Sequence, residues 1–270
     1  MKKKILFLGS LALLSGPMHV NAQSGSAHEL EVINQLSSNA AVSSMPVSQL
    51  LNAPGNEALK AFFFTPVKNK TALKGKKMAV LAADGFEEIE LLGPVWYFRQ
   101  LGAQVDIVAP KFNPAPARYG LSTPEMAKNH IMAIQYLNPV GWVKVDRTAD
   151  QIKVDEYDAI FIPGGAWNPD NLRYDKDVIR YIREFNQSGK LIAAICHAPV
   201  VLASADILKG RKLTGYWNIQ TDLTNAGGIV SDLPVVTDGN IITSRHPIDV
   251  ADFSKAVESW LTKASDVTKR

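Results

Sequence analysis

The stretch Lys190-Leu-Ile-Ala-Ala-Ile-Cys196-His197-Ala198-Pro-Val-Val-Leu-Ala203 contains the only cysteine of the chain. Its apolar residues from Leu191 to Ile195 predict a short buried strand, and a helix is predicted to begin near Ala198. A tight turn from a strand into a helix lifts one side chain above the sheet, as in a nucleophile elbow. Small residues at Ala194 and Ala198 suit the close backbone approach in such a turn. We therefore interpret Cys196 as a functional thiol.

Two features of this turn predict an activated sulfur. The partial positive charge of a helix N-terminus favours a thiolate, and His197 supplies a base or an imidazolium partner. We therefore expect the pKa of Cys196 to lie below ~7 instead of the usual ~8.5. The alternative is that Cys196 is a small buried hydrophobic residue, as free cysteines often are.

The composition is that of an ordinary globular protein. The chain has 270 residues, of which 46% are hydrophobic and 20% charged, enough for one domain with some extra sequence. Lys and Arg number 29 against 26 Asp and Glu, and this excess is accounted for by Lys2, Lys3 and Lys4. The balanced remainder argues against nucleic-acid binding or binding to an anionic membrane. Because no His/Cys/Asp cluster has the spacing of a structural metal site, we expect no metal.

Residues 1–22 are typical of a secretory signal. Three lysines precede the apolar run from Ile5 to Leu14, and Val20-Asn21-Ala22 is a small-residue cleavage site. We expect cleavage after Ala22 and a periplasmic or secreted mature protein. The apolar run is too short to span a bilayer comfortably, so no integral membrane segment is expected after cleavage. A retained anchor is the alternative.

Residues 23–75 form a compositionally distinct segment, rich in Ser, Asn, Ala and Gln. Weak helical periodicity runs through His28 to Leu36 and through Glu57 to Phe64. We interpret the segment as an arm or linker that docks on the domain or on a neighbouring subunit. A disordered linker is the alternative.

Residues 76–268 are predicted to form the domain, in which strands alternate with helices. Strands are predicted at Met78–Ala82, Gln104–Ala109, Ala159–Ile162, Leu191–Ile195, Arg211–Thr214, Ile229–Val230, Leu233–Val236 and Ile241–Ser244. Helices are predicted at Glu87–Leu101, Asp175–Ser188, Ala198 to near Leu208 and Asp249–Lys263. Residues 110–140 lack a clear period and are interpreted as an excursion over the sheet edge.

This alternation predicts an α/β fold, a flavodoxin-like three-layer sandwich with a mostly parallel sheet. Ligands of such sheets bind beyond the carboxyl ends of the strands. Three loops meet that condition, namely Asp84 to Glu90, Gly164 to Arg173, and Cys196-His197.

Several motifs, in order, resemble the PfpI/ThiJ superfamily, which shares its fold with class I glutamine amidotransferases. The matching segments are Asp84-Gly-Phe-Glu-Glu-Ile-Glu90, Tyr157-Asp-Ala-Ile-Phe-Ile-Pro-Gly-Gly165, Ala193-Ala-Ile-Cys-His-Ala-Pro199, Leu208-Lys-Gly-Arg-Lys-Leu-Thr214 and Val236-Thr-Asp-Gly-Asn-Ile-Ile-Thr-Ser-Arg245. The resemblance covers roughly Lys76 to Lys263. It is closest to the PfpI branch, because of His197 and of Asn225-Ala-Gly-Gly228.

The resemblance implies a role for each matched residue. Cys196 matches the nucleophile, and Glu90 matches the acid that hydrogen-bonds the thiol. Because an ionised Glu90 would raise the pKa of Cys196, the expected low pKa requires that Glu90 is protonated and donates its hydrogen bond to the sulfur. Gly165 and His197 match positions whose backbone N–H groups form an oxyanion site. Asp170 falls where PfpI proteins place an acid that orients the histidine, often from a neighbouring subunit.

Two assignments stay open at this point. The loop from Gly165 to Asp170 differs from the archaeal pattern, so Asp170 could instead be a helix-entry turn residue. His246-Pro247 is similar to the His-Pro-Glu of glutamine amidotransferases, whose histidine serves the elbow cysteine. An extra Ile248 separates this pair from Asp249. The insertion favours a structural role for His246 and leaves His197 as the candidate catalytic histidine.

The resemblance implies a cysteine-dependent hydrolase or lyase that oligomerises as a dimer or hexamer. Its substrates would be small 2-oxoaldehydes, glycated proteins or peptides, processed by cofactor-free hydration, deglycation or hydrolysis. The alternative is a non-enzymatic oxidative-stress protein on the same fold, either a thiol redox sensor or a holdase chaperone.

Overall fold

The computed structural model describes residues 40–43, 51–111, 129–135 and 138–267. Its strands are β1 (Ala40–Ser43), β2 (Lys77–Leu81), β3 (Phe86–Glu87), β4 (Gln104–Ala109), β5 (His130–Gln135), β6 (Asn138–Lys144), β7 (Arg147–Thr148), β8 (Ala159–Ile162), β9 (Leu191–Ile195), β10 (Lys212–Leu213), β11 (Ile229–Val230), β12 (Val235–Asp238) and β13 (Ile241–Ser244). Its α-helices are α1 (Glu57–Phe64), α2 (Glu88–Gln100), α3 (Asn168–Tyr174), α4 (Lys176–Gln187), α5 (Pro199–Ser204), α6 (Gln220–Asn225) and α7 (Val250–Val267). The proposed signal, residues 1–22, and the periodic segment His28–Leu36 lie outside the described residues.

The predicted parallel α/β fold is confirmed. A seven-stranded sheet has the order β12-β13-β9-β8-β2-β4-β7, and only the β12–β13 pair is antiparallel. Four neighbouring parallel strands, β13, β9, β8 and β2, therefore end at one edge of the sheet. The loops that follow these strands meet there, and they carry the matched site residues.

The central strands are buried on both faces, as their unbroken apolar runs predict. Along β9, Ala193 and Ile195 face a core shared with α1, α2 and α7. Ile192 and Ala194 face the opposite core, which is shared with α4 and α5. Successive side chains of a strand point to opposite faces, so this short strand contributes to both cores. Its packing fixes the position of Cys196, which directly follows it at the carboxyl edge of the sheet.

Several predicted boundaries were wrong. Part of the expected excursion forms an antiparallel hairpin of β5 and β6, with a register shift between Ala133 and Ile134. The helix expected to reach Leu208 ends at Ser204. Helices α3 and α6 were not predicted, because each spans only seven or six residues and shows little periodicity.

Residues 51–75 pack onto the domain, which favours a docked arm over a disordered linker for this part of the segment. Helix α1 matches the predicted Glu57–Phe64, and its Phe62 and Phe63 are buried against Trp96 and Tyr97 of α2. Strand β1 pairs antiparallel with β6 and so extends the second sheet. In the described part of the chain, none of the helices is both long and apolar enough to cross a membrane.

Candidate active site

Cys196 occupies the strained turn that the elbow motif predicts. Its φ is 63°, in the left-handed region that residues with a side chain seldom adopt. The turn is held on both sides, because Cys196 N donates to Ser244 O at 3.0 Å and its carbonyl accepts from Tyr216 N at 2.9 Å. The residue is only 4% exposed. The thiol therefore lies inside the protein at the carboxyl edge of the sheet.

Glu90, in the first turn of α2, is fully buried beside this sulfur. Its Oε2 accepts a hydrogen bond from Gly164 N at 2.9 Å. A side chain at position 164 would place Cβ 2.5 Å from Cys196 Cβ and 2.7 Å from Glu90 Oε2. Glycine is therefore required at this position, since it lets the carboxyl group and the thiol approach each other.

The expectation of a lowered thiol pKa was wrong in direction. Burial and the charge of Glu90 raise the pKa of Cys196 well above its usual value. Burial likewise raises the pKa of Glu90, with a further contribution from the charge of Glu87. A negative charge on either group raises the pKa of the other. The pair therefore carries at most one negative charge near neutral pH.

Two backbone N–H groups oppose this effect. Those of Gly165 and His197 hydrogen-bond the sulfur and lower the pKa of Cys196. Gly165 has a φ of 97°, and any side chain there would collide with the backbone of residues 85–87. These are the two groups that the resemblance assigned to an oxyanion site. Both N–H groups hydrogen-bond the sulfur, and a carbonyl oxygen on a carbon attacked by that sulfur would be an oxyanion next to it.

The structure places His197, and not His246, at the thiol. His197 Nδ1 lies 3.1 Å from Cys196 Sγ, and its ring stacks on Tyr216 with centroids 4.5 Å apart. Burial lowers the pKa of His197, although the charge of Asp170 acts in the opposite direction. The imidazole is therefore mostly neutral at pH 7 and can exchange a proton with the thiol.

Asp170 does not complete a triad within one chain. Its side chain is 75% exposed and forms a 3.6 Å ion pair with Arg173 in α3. Its charge reaches His197, but no hydrogen bond joins the two side chains in the described part of the molecule. Asp170 is therefore positioned to act on the histidine through its electric field only.

His246 belongs to a charged loop that follows β13. Its Nε2 lies 3.6 Å from Asp249 Oδ2, and Arg245 Nε donates to the same oxygen at 2.9 Å. Its ring also contacts Trp217, with centroids 5.4 Å apart. This arrangement agrees with the structural role expected for His246.

Asn168 is a site residue that the sequence argument did not identify. It is fully buried, its Oδ1 accepts from Ala83 N at 2.6 Å, and its Nδ2 donates to Pro163 O at 2.6 Å and to Gly164 O at 3.1 Å. Asn168 thus connects the start of the loop after β8, including Gly164, to the segment that follows β2. No sequence signal separates a buried asparagine of this kind from one in an exposed turn.

The described residues contain no group of three or more His, Cys, Asp or Glu side chains that could hold a metal ion. The polar groups gathered at Cys196 are instead an acid, an imidazole and two backbone donors. Such a set can add a thiol to a carbonyl group, stabilise the resulting oxyanion and move protons.

Comparisons with known proteins point to one family. The model of the DJ-1/PfpI family matches residues 76–259. The chain is 36% identical over 174 residues to "Deglycase PfpI" of Pyrococcus furiosus, covering 64% of this chain and 92% of that protein. It is 36% identical over 183 residues to "Putative cysteine protease YraA" of Bacillus subtilis, covering 67% and 95%. It is 35% identical over 181 residues to "Protein/nucleic acid deglycase 2" of Escherichia coli, covering 67% and 94%.

Solved structures give the same result. The crystal structure of DJ-1beta from Drosophila melanogaster superposes with a TM-score of 0.58 at 26% identity, covering 72% of this chain and 94% of that one. A two-domain protein from Anabaena variabilis with DJ-1/ThiJ/PfpI-like and ferritin-like domains gives 0.59 at 33% identity, covering 69% and 48%. On the matched residues, the fold and the elbow, the chain belongs to the DJ-1/PfpI family.

Proposed function

We propose that this protein is an exported, cysteine-dependent enzyme that acts on small carbonyl compounds. Its reaction would be the hydration of 2-oxoaldehydes to 2-hydroxy acids, or the related removal of early glycation adducts. The names of the P. furiosus and E. coli relatives support deglycase chemistry. The observation that carries the proposal is the buried group of Cys196, Glu90 and the two N–H donors of Gly165 and His197.

The proposed reaction uses these residues in turn. The thiol adds to the aldehyde carbon and its proton passes to the carbonyl oxygen, which gives a hemithioacetal. The N–H groups of Gly165 and His197 stabilise the charge on that oxygen. Glu90 or His197 then removes the proton on the first carbon and a proton is returned to the second carbon, which yields a thioester. Water hydrolyses the thioester, releases a 2-hydroxy acid and restores the thiol, without net oxidation or reduction.

The burial of the nucleophile favours a small substrate over a peptide. Cys196 is 4% exposed, whereas a peptidase nucleophile must reach a carbonyl within an extended chain. Asp170 also does not hydrogen-bond His197 within one chain, so this chain alone lacks the oriented histidine of a catalytic triad. The peptidase activity suggested by the name of the B. subtilis relative is therefore the less supported reaction.

The same observations weigh against a redox sensor. Sensor cysteines combine a low pKa with solvent access, whereas burial raises the pKa of Cys196 and shields it. A holdase role has no specific support in the site.

Turnover by the purified protein tests the proposal. We expect conversion of methylglyoxal to lactate, loss of that activity in Cys196→Ala, and strong reduction in Glu90→Leu. Ser231→Ala, outside the site, is the control. Turnover that persists in Cys196→Ala, or no turnover of methylglyoxal or glycated peptide by the folded parent, would refute the proposed reaction.

Export is the second part of the proposal and is tested separately. The basic start, apolar run and small-residue site of residues 1–22 support it. We expect the mature protein from its native host to begin at Gln23. A chain that retains Met1 and fractionates with the cytosol would refute export without bearing on the chemistry.

A further inference from the structure

Four aromatic rings form a continuous row that leads outward from the thiol. His197 stacks on Tyr216 at 4.5 Å, Tyr216 contacts Trp217 at 4.8 Å, and Trp217 contacts the ring of His246 at 5.4 Å between centroids. The first ring touches the sulfur, since His197 Nδ1 lies 3.1 Å from Cys196 Sγ. The row therefore connects the sulfur of Cys196 to Trp217, the most exposed of the four rings, and ends at His246.

Trp217 is held firmly although it is exposed. It begins a 3₁₀ turn, Trp217–Ile219, whose preceding residue Tyr216 donates its N–H to the carbonyl of Cys196 at 2.9 Å. A side chain at Gly215 would lie 2.9 Å from Leu223, so the segment packs tightly against α6. The position of the indole is thus coupled to the elbow through the backbone and through the rings.

The indole nevertheless presents a large apolar face to solvent. Trp217 is 56% exposed, and most residues of its size are largely buried in folded proteins. Its contacts with the rings of Tyr216 and His246 hold the indole in one orientation. This lowers the entropy lost when a planar ligand stacks on it. An exposed, pre-oriented indole, joined to the nucleophile through the rings of Tyr216 and His197, can serve as a recognition surface at the margin of the site.

We propose that Trp217 is a specificity residue that selects carbonyl substrates with a planar, apolar substituent, so that aryl 2-oxoaldehydes are preferred over methylglyoxal. This inference rests on the proposed function. The aldehyde carbon binds at Cys196, and the aryl ring stacks on the indole. Because Trp217 does not touch the sulfur, its role is to position the substrate and not to take part in the chemistry.

The test compares kcat/KM for phenylglyoxal and methylglyoxal. We expect the parent to prefer phenylglyoxal, and Trp217→Ala to lower that preference by about fivefold to tenfold, the loss expected for one ring–ring contact. The change should appear mainly in KM for phenylglyoxal, and kcat/KM for methylglyoxal should fall by a smaller factor than kcat/KM for phenylglyoxal. Trp217→Phe should restore most of the preference. Ile229→Ala is the control, because Ile229 is also 56% exposed but lies on β11.

Binding without turnover separates this inference from the proposed function. In the Cys196→Ala background, ligand-observed NMR should show mandelate binding more tightly than lactate, and Trp217→Ala should remove the difference. If neither aldehyde is turned over but this difference is observed, the reaction is refuted and the aromatic site stands. If turnover occurs with the same substrate preference in parent and Trp217→Ala, the aromatic site is refuted. The aromatic site is also refuted if Trp217→Ala changes the oligomeric mass and leaves the substrate preference unchanged. The indole would then belong to a subunit contact.

Discussion

At Cys196 the backbone adopts a conformation that costs about 1–3 kcal/mol for a residue with a side chain. Hydrogen bonds from both of its peptide groups to neighbouring strands and loops hold it there. The strain is localised at the nucleophile, whose Sγ it directs between Glu90, His197 and the N–H of Gly165. A residue that relaxed this turn would move the sulfur away from all three.

The ionisation of the thiol depends on its acidic neighbour. Because the charge of Glu90 raises the pKa of Cys196, we expect Glu90→Gln, which is neutral and similar in shape, to lower that pKa. The measurement is the pH dependence of iodoacetamide capture by the single cysteine. Glu57→Gln, at an exposed position, is the control. Little change in Glu90→Gln together with a raised pKa in Glu90→Leu would instead mean that Glu90 holds its proton and donates a hydrogen bond to the sulfur.

Asn168 stabilises the site through three hydrogen bonds rather than through contact with the thiol. Asn168→Ala removes the acceptor of the Ala83 N–H, the side-chain donor to Pro163 O, and one of two donors to Gly164 O, so we expect a loss of about 2–3 kcal/mol in the free energy of unfolding. Activity should fall as well, because Gly164 moves with the loop. Denaturant unfolding and kcat/KM measure the two effects. Asn225→Ala, exposed in α6, should change neither, and equal effects in both variants would contradict the assignment.

Helix α2 carries carboxyl groups in an apolar setting. All its residues from Glu88 to Phe98 are buried, including Glu90 of the site. Helices with this pattern are normally apolar on every face. The two glutamates are therefore maintained at a cost in stability, which predicts a specific dependence on pH.

Burial raises the pKa of Glu88 to about 7. A carboxyl pKa that is higher in the folded state gives stability that is present below the unfolded value and is lost as pH rises through the folded value. Between pH 5 and 7, the parent should therefore lose stability relative to Glu88→Gln, by up to about 1.4 kcal/mol per pH unit. Urea unfolding across this range measures the difference. Parallel curves for parent and variant would show that Glu88 ionises alike in both states.

The contact between α1 and α2 depends on a glycine inside a helix. A side chain at Gly93 would place Cβ 2.8 Å from Cζ of Phe63, which is fully buried. We expect Phe63→Ala to lower the free energy of unfolding by about 3–5 kcal/mol, because it leaves a cavity over Gly93. The partly buried Phe64 provides the matched control, for which Phe64→Ala should cost much less. Similar losses in the two variants would mean that α1 does not pack as described.

Across the whole molecule, four parallel strands bring residues 90, 164–165, 196–197 and 246 to one edge of the sheet, although the first and last of them are separated by more than half the chain. Asp170 lies at the exposed margin of this edge. An oligomer, as the family resemblance implies, could bring an aspartate from a neighbouring subunit to His197.

Mixing of two inactive variants tests that arrangement. If Asp170 acts across a subunit boundary, Cys196→Ala and Asp170→Ala should each be inactive and should regain about a quarter of the parental activity after equimolar mixing of a twofold-symmetric dimer. The reason is that half of the dimers are mixed and each holds one intact pair of residues. No recovery, with subunit exchange verified by mass, would place the action of Asp170 within its own chain.

The sequence by itself determined the layered parallel fold, the elbow at Cys196 and the candidate partners Glu90, Gly165 and His197. The fold and the elbow, with His197 beside the thiol, follow from local features, namely apolar runs, turn residues and small residues at a tight turn. Glu90 and Gly165 were assigned to the site by the family resemblance of their motifs. The N-terminal helix α1 was also predicted from its period, but its docking on α2 was left open.

Only the tertiary structure decided the electrostatics and the surroundings of the thiol. The helix N-terminus and His197 predicted a lowered pKa, whereas burial and the charge of Glu90 raise it. The hydrogen bonds of Asn168, the close approach of Cys196 and Glu90 at Gly164, and the ring row from His197 to His246 were likewise not predicted from the sequence. The physical reason is that burial, charge coupling and ring contact depend on distances between residues far apart in the chain, and these distances exist only once the strands have assembled.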